Sequence, residues 1–203
     1  MISCILLSAG HSARFGSPKA LAVIQGTPVI ERLQQILIDS GADEIIVVLG
    51  AHHTQIKSHI LNHKKVQVVY NKDFNLGQTS SFKVGLKAVS RDANGIMLLP
   101  VDMPAIKPKT INRLIHEFQK QRPSVLIPTY EKRRGHPPIF HAKLQAELLN
   151  LDNTVGLNSF EHQHASDMVF FSVEDPGILR SFNTPQEFED LKTYLEGQAV
   201  NRQ

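Results

Sequence analysis

The chain has 203 residues, of which 41% are hydrophobic and 20% charged. That is ordinary globular composition; it excludes a disordered or fibrous chain and suits one domain over residues 1–203. Lys plus Arg number 22 and Asp plus Glu 19, so the net charge is only +3. That surplus is too small for a nucleic-acid footprint, and the densest basic cluster is Lys132-Arg133-Arg134. A single cysteine, Cys4, excludes a disulfide framework and a cysteine-based zinc site. No apolar stretch approaches the roughly 20 residues that span a bilayer. No charged segment precedes the first apolar run, which stops at Leu7, so no signal peptide is expected. The expectation is a cytoplasmic protein with neither nucleic acid nor membrane as partner.

Six short apolar runs, rich in Val and Ile, cover residues 2–7, 44–49, 66–70, 96–99, 125–127 and 168–173. They are continuous rather than alternating, as in strands covered on both faces. Between them lie helical patterns. Residues 27–40 carry Val29, Ile30, Leu33, Ile36 and Leu37 at helical spacing. Thr27 is the expected cap, Pro28 the first helical residue and Gly41 the residue after the last turn. A weaker helical pattern covers 53–61; stronger ones cover 79–89 and 108–121. The segment 134–158 breaks the rhythm, with a short extra strand expected at 138–140 and a helix at 142–150. The last helix opens on Thr184-Pro185-Gln186-Glu187, where Thr184 and Glu187 form a capping box.

Alternating strands and helices predict an α/β fold: a three-layer αβα, Rossmann-like, open and mostly parallel sheet. In such a sheet ligands bind outside the carboxyl ends of the strands. The residues just after each apolar run are therefore the candidates for function.

After the first run comes Leu7-Ser8-Ala9-Gly10-His11-Ser12-Ala13-Arg14-Phe15-Gly16-Ser17-Pro18-Lys19. Ser8, Ala9 and Gly10 are small enough for backbone N–H groups to wrap an anion, and Arg14 and Lys19 add positive charge. The spacing matches neither a Walker A loop nor a G-x-G-x-x-G dinucleotide loop. On residues alone, a nucleoside triphosphate loop and a plain turn with two solvated cations both remain open. After the third run, Gly77-Gln78-Thr79-Ser80-Ser81 leads into a helix. Free N–H groups at that end favour acceptors, though capping by Thr79 or Ser80 explains the hydroxyls equally well. The fourth run ends in Pro100-Val101-Asp102-Met103-Pro104, which puts the Asp102 carboxylate at the ligand edge of the sheet. Mg²⁺ takes oxygen ligands, usually one or two carboxylates with substrate phosphates.

The first loop resembles the signature L-x-A-G-x-S-x-R-(F/M)-G-x-x-K of the MobA-like nucleotidyltransferases, the family that includes molybdenum cofactor cytidylyltransferases. The resemblance continues, in order, across nearly the whole chain. It implies that Leu7, Ser8, Ala9, Gly10 and Lys19 hold the nucleotide, that Arg14 and Lys19 hold the triphosphate and stabilise the reaction, and that Asp102 is catalytic and binds Mg²⁺. It implies that Gly77, Gln78 and Ser81 help select the nucleotide. Ala9-Gly10 is similar to the form that accompanies CTP rather than GTP. Asn183, before Thr184-Pro185, matches the family's second metal position, where an Asp or Asn stands; a turn residue before a capped helix is the alternative. Arg134-Gly135-His136-Pro137 resembles the segment that lines the acceptor pocket, which implies that Gly135 and His136 bind the acceptor; a bare turn is the alternative. The family's Gly-Asp-x-Gly-Ala-Arg segment is degraded here to Leu151-Asp152-Asn153-Thr154-Val155-Gly156, without the Arg.

The implied reaction moves CMP from CTP to molybdopterin and releases pyrophosphate, with a molybdenum hydroxylase as the recipient of the product. A cytidylyl- or guanylyltransferase acting on a sugar phosphate or other small phosphate, and a non-catalytic chaperone holding nucleotide or cofactor, are the alternatives. His52, His53, His59 and His63 are expected on a solvated face rather than at a metal, and Cys4 as a buried inert thiol.

Overall fold

The computed structural model describes residues 1–153, 157, 160 and 165–200. The apolar runs form β1 (Ile2–Ser8), β4 (Glu44–Leu49), β5 (Val66–Tyr70), β6 (Gly95–Pro100), β7 (Val125–Tyr130) and β10 (Met168–Ser172). Two shorter strands, β8 (Arg133–Arg134) and β9 (Ile139–His141), complete the main sheet. Its order is β10-β7-β9-β6-β1-β4-β5, with β8 paired to β7. β6, β1, β4 and β5 run parallel, and so do β7 and β10. β9 is antiparallel to both β6 and β7, so the extra strand expected at 138–140 joins the sheet in its interior.

Side chains of β1 alternate between two cores. Ile2, Cys4 and Leu6 face one cluster, which takes in α1 (Val29–Ile38), α4 (Pro108–Gln121) and the last helix, α6 (Pro185–Val200). Ile5 and Leu7 face the other, under α3 (Gln78–Ala88) and α5 (Gln145–Leu149). Every residue of β1 is buried, which is why the run reads as continuous rather than alternating.

Three expectations need correction at element ends. Thr27 and Pro28 do not open α1; they form β3, antiparallel to β2 (Val23–Ile24). Gln25 and Gly26, at φ +49° and +80°, make the two-residue turn that draws Thr27-Pro28 into that ladder. Gly41 is not a left-handed terminator; Asp39 and Ser40 close α1, bonding to Gln35 and Leu37 carbonyls. The pattern at 53–61 yields one α-turn, α2 (His53–Ile56), then a 3₁₀ turn at Lys57–His59. The capping box of α6 forms as expected: Glu187 N donates to Thr184 Oγ1 at 3.3 Å and Thr184 N to Glu187 Oε2 at 3.2 Å.

Candidate functional site

Because β1 and β6 are parallel neighbours, with Leu7 opposite Pro100, their carboxyl ends release two loops side by side. Val101 N donates to Leu7 O at 3.0 Å and Phe182 N to Asp102 O at 3.1 Å. These bonds bring residues distant in sequence into one cluster. Lys19 Nζ donates to Asp102 Oδ2 at 3.1 Å and to Asn183 Oδ1 at 2.8 Å. Arg14 Nη2 donates to the same Asn183 oxygen at 3.1 Å. The Lys19 and Asp102 side chains are 12% and 23% exposed, so water screens the pair only partly. Phe15 anchors the loop: its ring meets Phe182 and Phe188 edge-on at 5.2 and 5.5 Å.

Beside this cluster opens a cavity of about 700 Å³. Leu7, Ser8, Ala9, Gly10 and Lys19 line one wall, with Gly77, Gln78 and Ser81 next to them. A side chain at Gly10 would meet no protein atom within 4 Å, so the protein leaves that space open. Gly77, at φ +93°, is the N-cap of α3. The capping alternative for Thr79 and Ser80 therefore does not hold. Ser80 Oγ turns back onto the Gly77 and Asp73 carbonyls instead. Ser81 lines the cavity, but the buried Asn71 amide donates to its hydroxyl at 3.0 Å and so fixes its direction. Arg14 and Asn183 are not part of the lining; Asn183 is joined to it through Lys19, and Arg14 through Asn183.

Asp102 and Asn183 present one anionic and one neutral oxygen to a single cationic atom, Lys19 Nζ. An all-oxygen pair converging on positive charge suits a hard divalent cation that takes its other ligands from phosphates and water. Among the described residues no group of three or more His, Cys, Asp or Glu forms a metal cluster.

Arg133, Arg134, Gly135 and His136 also line the cavity. A Cβ on Gly135 would lie 2.5 Å from Ile178 O, so this glycine is required by the protein's own backbone rather than by a ligand. His136 N donates to that same carbonyl at 2.9 Å. The His136 Nδ1 atom is buried and has no hydrogen-bond partner. Burial pushes the His136 pKa below its usual value, with the Asp102 charge opposing the shift. Gly156 of the degraded segment lies outside the described residues; Asp152 is exposed.

The histidines of 52–63 do not converge. His59 Nδ1 sits 2.6 Å from Glu31 Oε1, the His63 ring accepts from Lys65 N, and His53 bonds Gly50 O. Cys4 is wholly buried, which raises its thiol pKa and leaves it protonated. Sequence reasoning missed two supporting residues. Gly50 lets β4 close onto the first loop: a Cβ there would stand 2.6 Å from Ala9 O. Asp175, 3% exposed, accepts from Lys107 N, Thr110 Oγ1 and Gly177 N at 3.0, 2.6 and 3.0 Å. It ties the start of α4 to the segment leading to Asn183. A glycine right after an apolar run was the available signal for the first; no local pattern marks the second. Among the described residues no helix is long and apolar enough to cross a membrane.

Comparison with known proteins agrees with this geometry. Residues 4–168 match the MobA-like NTP transferase domain. A nicotine blue oxidoreductase of Paenarthrobacter nicotinovorans is 30% identical over 150 residues, 71% of this chain and 72% of that protein. A probable molybdenum cofactor guanylyltransferase of Natranaerobius thermophilus is 26% identical over 96% of both chains. The molybdenum cofactor cytidylyltransferase of Escherichia coli is 23% identical, covering 94% of this chain and 95% of its own. In fold, the crystal structure of Rv0371c from Mycobacterium tuberculosis superposes with a TM-score of 0.83 at 24% identity, covering 95% of this chain and 97% of that one. A signature loop, a lysine–aspartate pair at the sheet edge and a match over most of the length agree: the chain belongs to the MobA-like NTP transferase family of nucleotidyltransferases.

Proposed function

We propose that the chain transfers CMP from CTP to the phosphate of a molybdopterin-type acceptor and releases pyrophosphate. The observation that carries this reading is the convergence of Lys19, Asp102 and Asn183 beside a cavity walled by the small-residue loop. An acceptor phosphate oxygen forms a bond to the α-phosphorus while the bond to the β-phosphate oxygen breaks. The pyrophosphate departs with that electron pair. A phosphate acceptor is already ionised at neutral pH, so no proton has to be removed. Catalysis then rests on positioning and on fixed positive charge where negative charge develops.

Ser8, Ala9 and Gly10 offer backbone donors to the nucleotide phosphates. Lys19, with Arg14 behind it, holds the leaving pyrophosphate. The neutral cytosine preference rests on Ala9-Gly10; relatives named for guanylyl and for cytidylyl transfer both exist. Asp102 and Asn183 would hold Mg²⁺, which supplies charge neutralisation to the phosphates when bound. His136 and Gly135 form the acceptor wall, and a molybdenum hydroxylase receives the product.

The relative named nicotine blue oxidoreductase supports a second reading, a redox reaction on the same scaffold. One experiment separates the two. Purified protein is given CTP, Mg²⁺ and molybdopterin, and pyrophosphate is measured. Acceptor-dependent pyrophosphate release is expected. Binding of CTP with no release across a wide acceptor panel would favour a chaperone. Oxidation of a nicotinamide cofactor without nucleotide turnover would favour the redox reading.

A further inference from the structure

Four residues that line the cavity take no part in the reaction described above: His11, Ile56, Phe74 and Asn75. Two of them are joined. His11 Nε2 lies 2.6 Å from Asn75 Oδ1. A carboxamide oxygen only accepts, so the imidazole is the donor and carries a proton on Nε2. His11 follows β1 and Asn75 follows β5, and β4 lies between those strands in the sheet. Neighbouring strands stand about 4.8 Å apart, so the bond closes a gap of roughly two strand spacings over the end of β4.

The residue at that end is Gly50. A Cβ there would stand 2.6 Å from Ala9 O and 2.7 Å from Phe74 Cβ, so the two loops meet over a glycine. The His11 ring also meets Phe74 edge-on at 5.0 Å. Asn75 itself stands on a braced 3₁₀ turn, Phe74–Leu76. Leu76 N donates to Asp73 O at 2.9 Å and Gly77 N to Phe74 O at 3.2 Å. Asp73 N donates to Asn71 Oδ1 at 3.0 Å, and the buried Asn71 amide donates in turn to the Ser80 and Ser81 hydroxyls. The turn is therefore tied to the start of α3, and His11 sets the direction of the Asn75 carboxamide.

That pairing occupies the carboxamide oxygen. Asn75 Nδ2 has no partner among the described hydrogen bonds, and it offers a ligand two donors and no acceptor. The apolar lining residues Ile56 and Phe74 suit a flat ring better than a phosphate. Among bases, cytosine presents acceptors at N3 and O2. Uracil carries an N–H at N3, and guanine carries N–H groups at N1 and N2. A donor at this place favours cytosine over the other two.

We propose that Asn75 reads the base and that His11 is its positioning residue: the carboxamide, held by His11, donates to the N3 acceptor of cytosine. The inference rests on the transferase reading and deepens it by naming the side chain that sets the nucleotide preference.

The test titrates the full chain, with Mg²⁺, against the α,β-methylene analogues of CTP, UTP and GTP, with calorimetry as the readout. Wild type is expected to bind the CTP analogue at least about fivefold more tightly than the UTP analogue. Asn75→Ala should weaken the CTP analogue by about fivefold to tenfold and the UTP analogue by less than about twofold. Asn75→Asp replaces donors with acceptors and should shift the order towards the UTP and GTP analogues. Its charge weakens all three triphosphates alike, so the ratio of affinities is what reports the base. His11→Phe keeps a ring against Phe74 but loses the bond; it should weaken the CTP analogue, yet add nothing in the double variant with Asn75→Ala. Both side chains are exposed, so melting of the ligand-free variants should match wild type. A wild type that binds the UTP or GTP analogue as tightly as the CTP analogue overturns the proposal. So does a CTP-to-UTP ratio that Asn75→Ala and Asn75→Asp leave unchanged. Additive losses in the double variant would overturn the positioning role of His11. Failure of wild type to bind any of the three analogues would instead sink the transferase reading itself.

Discussion

Lys19→Met separates the role of the lysine in catalysis from its role in the fold. In the free protein the ammonium makes two charged hydrogen bonds, to Asp102 and Asn183. The substitution keeps most of the aliphatic stem but removes the ammonium that lies 5.6 Å from the Phe182 ring centroid. Asp102 remains 23% exposed and can recover water, which limits the cost. A partly exposed pair of this kind is worth about 1–2 kcal/mol. For a chain of this length that corresponds to a melting shift of roughly 2–8 °C. On the proposed mechanism, the same ammonium faces charge developing on the leaving pyrophosphate in the transition state. Loss of one such donor costs about 10²–10³ in kcat, or roughly 2.7–4 kcal/mol. Pyrophosphate release at saturating CTP and molybdopterin reads kcat, and calorimetric melting reads stability. The expected result is a folded variant with a small melting shift and a large fall in kcat. A variant with wild-type turnover would refute the role given to Lys19. A fall in activity no larger than the loss of stability explains would reduce the lysine to a structural part.

Further outcomes follow from the supporting residues. Asp175→Ala should destabilise by about 3 kcal/mol in urea unfolding, since three donors lose a buried acceptor, and Asp175→Asn should recover part of it. Gly50→Ala should cost about 1–3 kcal/mol and raise the CTP KM, because the new methyl must push the Ala9 segment that lines the cavity. His136 has a folded pKa held below its unfolded value of about 6.5, so the unfolded chain binds more protons in that range. Its contribution to stability is therefore present above about pH 6.5 and is lost as the pH falls towards the folded pKa. His136→Asn should flatten that part of the urea midpoint profile; an unchanged profile would show that the ring is freely hydrated.

The fold was legible where burial is two-sided. β1, β4 and β6 are covered on both faces, and their continuous apolar runs announce it. The Thr184–Glu187 capping box is a local signal, and both of its hydrogen bonds form. The β2–β3 hairpin was hidden because its strands are two residues long and Gln25-Gly26 is a weak turn signal, while Thr27-Pro28 mimics a helix start. At the site, Lys19 and Asp102 were readable because parallel strands send their carboxyl ends to one edge. The Phe15–Phe182–Phe188 cluster, the Asp175 tie and the Gly50 contact were not, since each joins segments far apart in sequence through packing that no local spacing records.

The most direct measurement is a crystal structure with the α,β-methylene CTP analogue and Mg²⁺. The triphosphate should lie against the backbone of Ser8, Ala9 and Gly10, with Lys19 swung from Asp102 to a phosphate oxygen and the metal on Asp102. A nucleotide bound elsewhere, or bound here while the Lys19–Asp102 pair stays closed and no metal touches the carboxylate, would contradict the account.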